Sequence, residues 1–485
     1  TTLSDTQGVD MVQIFAALDR YPYGCIEQTS STTRGLIFRE NLKDKKSKSR
    51  KKAINSGLEK IIAKQGFQGS FGYWNKYDRV FEEYQPYAVE TLMLGLPFSN
   101  DPQLVSKSIR KGLEHLVSHE FLDWKSELYS LGLLTKSGYE VTSRIRYIID
   151  HKVLRKSLRE LETIALGYWL ADLIDDKKRL TLLHDKLSEY SFSKEPPKLI
   201  RLEPEIRSWK KINTISNSNS KPIIPKTASF LANVSEKNQT KITQDLVAST
   251  RNYMIGLQYR STYANANLAR ILLATKKTVS EANIRINGEP RSINEDGSIN
   301  IDISEFRSGF NLTHDQKHQL FLNVETIGKR KSVHAINNGF LVLKKIYDND
   351  GNYLNSYEGL TVKQGDVFTV VISFQSNETY SGNILLTDLL PSGFEFVDDK
   401  LDKRLGEHGL KYYKYARTPD YSQLMDDRFV ANFRRGASAS QKIFTGYRLR
   451  AVYPGEMVLP DTHVELMYQP HLNGRSRLSN IKVER

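Results

Sequence analysis

The hydrophobic period of this chain changes once, and that change divides what its two parts can become. Over residues 9–275 apolar side chains recur at helical spacing, with Val9, Val12 and Leu18 in one segment and Val105, Ile109, Leu113, Leu116 and Val117 in another. Residues 158–173 are apolar on more than one side, through Leu161, Ile164, Leu166, Trp169 and Leu170, so a helix there is expected between other helices. Leu180, Leu183 and Leu187, then Leu268, Ile271 and Leu272, continue the series. Beyond residue 278 the period falls to two. Ala282, Ile284 and Ile286 alternate, as do Ile299, Ile301 and Ile303, with Asn287-Gly288 and Asp296-Gly297 as hairpin turns. Residues 367–374, 384–390 and 443–452 are dense in β-branched and aromatic residues. A chain of 485 residues in this order reads as multidomain, an all-α assembly of paired helices followed by β domains.

The helical part holds the chain's single cysteine, within Tyr21-Pro22-Tyr23-Gly24-Cys25-Ile26-Glu27-Gln28-Thr29. Residues three apart share a helical face, so the Cys25 sulfur and the Gln28 carboxamide carbon can meet. If sulfur displaces ammonia from that carboxamide, the product is an internal thioester. Sulfur donates less to the carbonyl than nitrogen does and leaves more easily, so the glutamyl carbon opens to amines, hydroxyls and water. Pro22 biases Tyr21 away from helix, Gly24 permits a tight turn, and Tyr21 and Tyr23 could shield the bond from water. Two other readings stand beside this one. Cys25 could be a buried, inert thiol, or a catalytic cysteine whose histidine partner the sequence does not place. A lone cysteine makes no internal disulfide and does not by itself decide the compartment.

The run from Tyr21 to Thr29 closely resembles the thioester signature of bacterial alpha-2-macroglobulins, relatives of animal macroglobulins and complement components. Gly69-Ser70-Phe71-Gly72-Tyr73-Trp74 resembles a loop repeated in α/α toroids, terpenoid cyclases included, and Ser261-Thr262-Tyr263-Ala264-Asn265-Ala266 a segment opening the toroid's last helix. Phe81-Glu82-Glu83-Tyr84-Gln85-Pro86-Tyr87 departs from the family pattern, with Pro86 expected in the first turn of a helix. Leu389-Leu390-Pro391-Ser392-Gly393-Phe394-Glu395, Tyr447-Arg448-Leu449-Arg450-Ala451 and Glu465-Leu466-Met467-Tyr468 resemble the family's last macroglobulin-like domain. The resemblance implies an α/α-toroid thioester domain over 1–277, the second half of a CUB-type β-domain over 278–335, and a β-sandwich over 336–485. The polar, Pro-punctuated stretch 214–226 reads as an excursion within the first of these.

The same resemblance implies a single-use covalent protease trap without cofactor or metal. Cleavage of a bait segment exposes the thioester, and a lysine of the attacking protease is acylated by Gln28, freeing Cys25. It further implies a periplasmic protein, with an upstream lipid anchor to the inner membrane. A structural or adhesive surface module whose thioester couples to envelope or host amines is the competing reading. An α/α-toroid enzyme would need an acidic cluster, and none is evident here.

The remaining features are weaker. A formal charge of +14 raises nucleic acid as a partner, but Lys43, Lys45, Lys46, Lys48, Arg50, Lys51 and Lys52 lack interleaved aromatics or a phosphate loop, so a solvated run is expected. His115 and His119 stand four apart without the glutamate of a zinc-protease motif. Asp348-Asn349-Asp350-Gly351-Asn352 lacks the first ligand of a calcium loop and reads as a tight turn. Glu27 could assist a proton transfer or serve only as a charge favoured at a helix N-terminus. The resemblance places the last domain near the thioester, making Met467 and Tyr468 an expected apolar cap over it; alternatively both are ordinary strand residues. None of the ten histidines can be matched to the complement branch's acyl relay. Direct attack by amines is therefore expected to dominate. Offered matched amine and glycerol nucleophiles, the activated chain should incorporate mainly the amine; predominant ester would mean that a histidine is catalytic.

Overall fold

In a computed structural model of the chain, the described residues are 2–4, 11–19, 24–40, 47–155, 161–189, 225–256, 260–275, 284–292, 301, 305, 308–314, 321–323, 334–354, 359–380, 382–397, 419–434, 441–467 and 469–485. The chain divides into two compact units, Thr1–Thr326 and Ile327–Arg485. Helices fill most of the first and sheets the second, as the change of period implies.

The first unit opens with α1 (Met11–Asp19), α2 (Ile26–Glu40), α3 (Ser47–Ile62), α4 (Gln85–Gly95), α5 (Pro102–Ser118) and α6 (Trp124–Lys136). Their starts are set locally. The Asp101 carboxylate accepts from Leu104 N at 2.9 Å with Pro102 behind it, and Asp123 accepts from Ser126 N at 3.0 Å. Pro86 does fall in the first turn of α4. On α5 the expected face buries Val105, Ile109, Leu113 and Leu116, but Val117 lies outside the stripe and is exposed. The helix Leu161–Leu173 is buried around nearly its whole circumference, as its apolar pattern requires. Arg50 departs from the solvated reading of the basic run: it is buried, pairing with Glu40 at 3.2 Å, whereas Lys48, Lys51 and Lys52 are exposed and Lys43, Lys45 and Lys46 lie outside the described residues. Residues 214–224 also lie outside them.

The helices end with Thr262–Thr275, and short strands follow. Ile284–Ile286 pairs antiparallel with Glu289–Arg291 across Asn287 (φ 52°) and Gly288 (φ 86°), the two positive φ values a two-residue hairpin turn demands. The strand Phe321–Asn323 pairs with Thr2–Ser4, so the helical region is flanked by strands that join each other. No described helix is long and apolar enough to cross a membrane.

In the second unit an antiparallel sheet runs in the order Phe394–Phe396, Lys442–Ala451, Val367–Ser376, Phe340–Tyr347, Tyr353–Leu354. A six-stranded sheet is built around Ile384–Leu389, between Arg428–Phe433 and Thr462–Leu466. Phe340–Tyr347 alternates buried and outward residues, whereas Val367–Ser376 is buried on both faces over its centre. Phe340, Val370, Ile372 and Phe374 of the first sheet share one core with Ile384, Leu386, Phe429 and Phe433 of the second. Asp348 closes the turn before Tyr353, accepting from the amides of Asp350 (3.0 Å) and Asn352 (2.8 Å).

A buried ion pair links these two sheets. Lys344 Nζ lies 2.6 Å from Asp388 Oδ1 and donates to the Pro460 carbonyl at 2.8 Å, while the Tyr447 hydroxyl donates to Asp388 Oδ2 at 2.6 Å. Removing the carboxylate strands a buried ammonium. Asp388→Ala should therefore cost about 3–5 kcal/mol in chemical unfolding, and a Lys344→Met/Asp388→Leu double variant should recover most of it. A single variant near wild type would mean that water reaches the pair.

Candidate thioester site

Cys25 stands at the cap of α2. Its carbonyl accepts from Thr29 N at 2.9 Å, the first bond of the helix, and its sulfur accepts from Gln28 N at 3.4 Å. That is the contact an N-cap serine makes with the third helical residue. In a capping box the third residue is Glu or Gln, and its side chain reaches back toward the cap. Cys25 and Gln28 occupy those two places, the cap and the third helical residue. The carboxamide makes no capping bond. Gln28 is fully buried, and neither its Oε1 nor its Nε2 has a hydrogen-bond partner among the described residues. Leaving such groups dry and unpaired costs about 1–3 kcal/mol each.

Cys25 is equally buried. Burial, then the charge of Glu27, pushes its thiol far above the ordinary value; hydrogen bonds from the Gln28 amide, the Tyr73 hydroxyl and the Glu27 amide pull it back only in part. A nucleophilic catalytic cysteine needs the opposite electrostatics.

Glu27 is no exposed helix-end charge. It is buried, accepting from Ser31 Oγ at 2.7 Å and from Thr262 Oγ1 at 3.0 Å on the last helix. Ser31 Oγ in turn lies 3.0 Å from the Tyr87 hydroxyl. One turn on, Arg34 donates through Nε to Thr91 (2.7 Å) and through Nη2 to the Tyr87 carbonyl (2.7 Å), pairs with Glu90 at 2.9 Å, and lies 3.7 Å over the Tyr87 ring. Glu90 also pairs with Arg270 at 3.0 Å and accepts from the Tyr129 hydroxyl. Burial disfavours its charge, but Arg270 and Arg34 hold the Glu90 carboxyl well below the usual carboxylate range.

The strap between α3 and α4 completes the site. Tyr73 O accepts from Ile26 N at 2.7 Å, one residue past the cysteine. Gly72 N bonds Lys64 O at 3.0 Å, and the Gln85 side chain clamps Phe71 through its N (2.7 Å) and O (2.9 Å). A Cβ on Gly72 would meet the Asn75 carbonyl at 1.9 Å, and one on Gly69 (φ 89°) the Lys111 carbonyl at 2.1 Å. The glycines are therefore what let the strap fold this closely. Tyr73 packs against Phe81 at 4.9 Å and Trp74 at 5.4 Å.

Of the residues expected from the sequence, the structure brings Cys25, Glu27 and Gln28 onto one turn, with Gly24 half-buried before it. Tyr21, Tyr23 and Tyr468 lie outside the described residues. Met467 is buried in the second unit, its amide donating to Asn383 O at 2.8 Å. Tyr73 and Thr262 join the site as well, from the Gly69–Trp74 strap and the start of the last helix, two segments whose spacing alone does not place them beside Cys25. His119 lies 3.4 Å from Glu82, and among the described residues no group of three His, Cys, Asp or Glu side chains could hold a metal.

Residues 339–471 match the family model described as the bacterial alpha-2-macroglobulin MG10 domain. The chain is 26% identical to an alpha-2-macroglobulin of Rickettsia conorii, over 96% of this chain and 24% of that protein. It is 23% identical to one of Xylella fastidiosa, over 99% of this chain and 30% of that protein. It thus spans less than a third of the length of these curated relatives. Its fold resembles native alpha-2-macroglobulin from Escherichia coli, solved from domain MG7 to the C-terminus (17% identity, TM-score 0.70, all of this chain and 76% of that one). It also resembles Salmonella alpha-2-macroglobulin reacted with methylamine (18% identity, TM-score 0.70, all of this chain and 31% of that one).

If the strap positions this turn, loosening the strap must be felt at the turn. Gly72→Ala is expected to destabilise the unit by about 1–3 kcal/mol. It should also speed hydrogen exchange at the Ile26 amide, which Tyr73 O holds. Unchanged exchange there would show that α2 sets the turn alone.

Proposed function

We propose, from the premise that this chain belongs to the bacterial alpha-2-macroglobulin family, that Cys25 and Gln28 form an internal thioester serving a protease-trapping inhibitor. The observation that carries this reading is a buried Gln28 carboxamide without a hydrogen-bond partner among the described residues, on the residue whose backbone amide caps on the Cys25 sulfur. Attack of sulfur on Cδ with loss of ammonia removes two buried N–H donors that have no acceptor among the described residues. The condensation thus relieves the polar mismatch that an inert cysteine and an ordinary glutamine would leave in place.

In this reading the helices form the toroid and the two large sheets the macroglobulin-like sandwich. Cleavage elsewhere in the whole protein triggers a rearrangement that opens the site. An uncharged lysine amine of the attacking protease then adds to the Gln28 carbonyl, the C–S bond breaks, and the protease is left on an isopeptide bond while Cys25 is freed. Each molecule acts once, as acyl donor and not as turnover enzyme. The periplasm, where a bacterium meets foreign proteases, is the compartment this function suits.

The native chain should weigh one ammonia less than its sequence. It should give no titratable thiol until methylamine is added, and one afterwards. Cys25→Ser should abolish both signs. A free Cys25 in undamaged protein of unchanged mass would refute the thioester.

A further inference from the structure

The last helix (Thr262–Thr275) opens on Ser261, whose hydroxyl accepts from Ala264 N at 3.1 Å and whose carbonyl accepts from Asn265 N at 2.9 Å. Ser261 is thus the cap, and the Thr262 hydroxyl has no part in starting the helix. It is buried all the same. It donates to the Glu27 carboxylate, 3.0 Å from Oε1 and 3.2 Å from Oε2, and among the described residues Glu27 is the only hydrogen-bond partner it has. A valine would fill the same space without a polar group to bury, so the hydroxyl serves the carboxylate and not the helix.

Glu27 stands between the cysteine and the glutamine. Cys25 caps α2, which makes Glu27 the second helical residue and Gln28 the third. The carboxylate lies where the first turns of α2 and the last helix meet, and the positive ends of both dipoles favour its charge. Ser31 Oγ holds Oε1 at 2.7 Å from within α2 itself. Thr262 holds it from another helix, 235 residues further along the chain. Tyr263 backs that contact, its ring 4.8 Å from the ring of Tyr87.

We propose that Thr262 is a positioning residue for the thioester turn, and that its bond to Glu27 is the latch through which the last helix governs the reactivity of Gln28. The inference rests on the thioester reading above. Cys25, Glu27 and Gln28 share one turn, so a carboxylate held from outside α2 keeps that turn from tilting and the Gln28 carbonyl closed to amines. Withdrawal of the last helix takes the hydroxyl away. A buried carboxylate left short of a donor then turns toward water, and its neighbour Gln28 turns with it. Thr262 acts through Glu27 and takes no part in bond making.

The test follows intact mass and methylamine-triggered thiol release in Thr262→Val and Thr262→Ser beside the unaltered full chain. If the unaltered chain lacks the ammonia deficit, the thioester reading itself has failed. With the deficit present, Thr262→Val, which keeps the shape and loses the hydroxyl, should release thiol roughly tenfold faster, or lose the deficit in part or all of its molecules. Thr262→Ser, which keeps the hydroxyl, should restore both the deficit and the slow release. Should the Val variant not fold, Thr262→Ala takes its place in the same comparison. A variant without the hydroxyl that matches the unaltered chain in mass and rate overturns the latch and leaves the thioester standing. One that carries the full deficit and releases thiol more slowly does the same. So does a Ser variant as altered as the Val one, since the methyl group and not the hydroxyl would then be at work.

Discussion

A carboxylate held between two guanidinium groups lets a polar helix run through the interior of the first unit. Moving such ions out of water costs several kcal/mol each, and that cost is offset only where every donor and lone pair finds a partner. Here the partners are present. Arg34 spends its donors on Thr91, the Tyr87 carbonyl, Tyr129 and Glu90, and Glu90 answers Arg34, Arg270 and Tyr129. These groups come from α2, α4, α6 and the last helix, so the pairing fixes four helices against one another. An apolar substitute could fill the space, but it would not fix the rotation of α2 about its own axis.

That rotation is what the site needs. Glu27, Ser31 and Arg34 lie at i, i+4 and i+7, one stripe along α2 running from the cysteine turn to the ion cluster. Each residue of the stripe is matched by a polar group on a facing helix: Thr262 for Glu27, Tyr87 for Ser31, and Glu90 for Arg34. With the stripe engaged, Gln28 is carried round to a buried position beside the capping sulfur. The rotation of the cysteine turn is thus set by bonds made two turns away.

This explains what the sequence could and could not disclose. The change of period separates helix from sheet, Asn287-Gly288 marks its hairpin, and the spacing of Cys25 and Gln28 places both on one turn, because each signal is local. The burial of α2 is not local. A run of Glu, Gln, Thr, Ser and Arg carries no apolar stripe, and only the matching groups far along the chain, such as Thr262 and Arg270, show that it is interior. Arg50 misleads for the same reason: its basic neighbours suggest solvent, whereas Glu40 on α2 draws it inside. Tyr73 holds the turn through its backbone carbonyl as well as its hydroxyl, and Gly72 acts through the absence of a Cβ. The carbonyl and the missing Cβ depend on no side-chain chemistry that a motif could display.

The strand pair flanking the helical region has a mechanical consequence. Thr2 faces Asn323, Leu3 faces Leu322 and Ser4 faces Phe321, so both ends of the unit leave from the same edge of the ladder. A load that draws those ends apart meets the ladder in unzipping geometry, where rungs yield in succession instead of sharing the force. The helices themselves lie in the loop behind the clasp and feel no tension until it has opened. A pull on those two ends is therefore met first at these three rungs, before it reaches the pairing around Glu90.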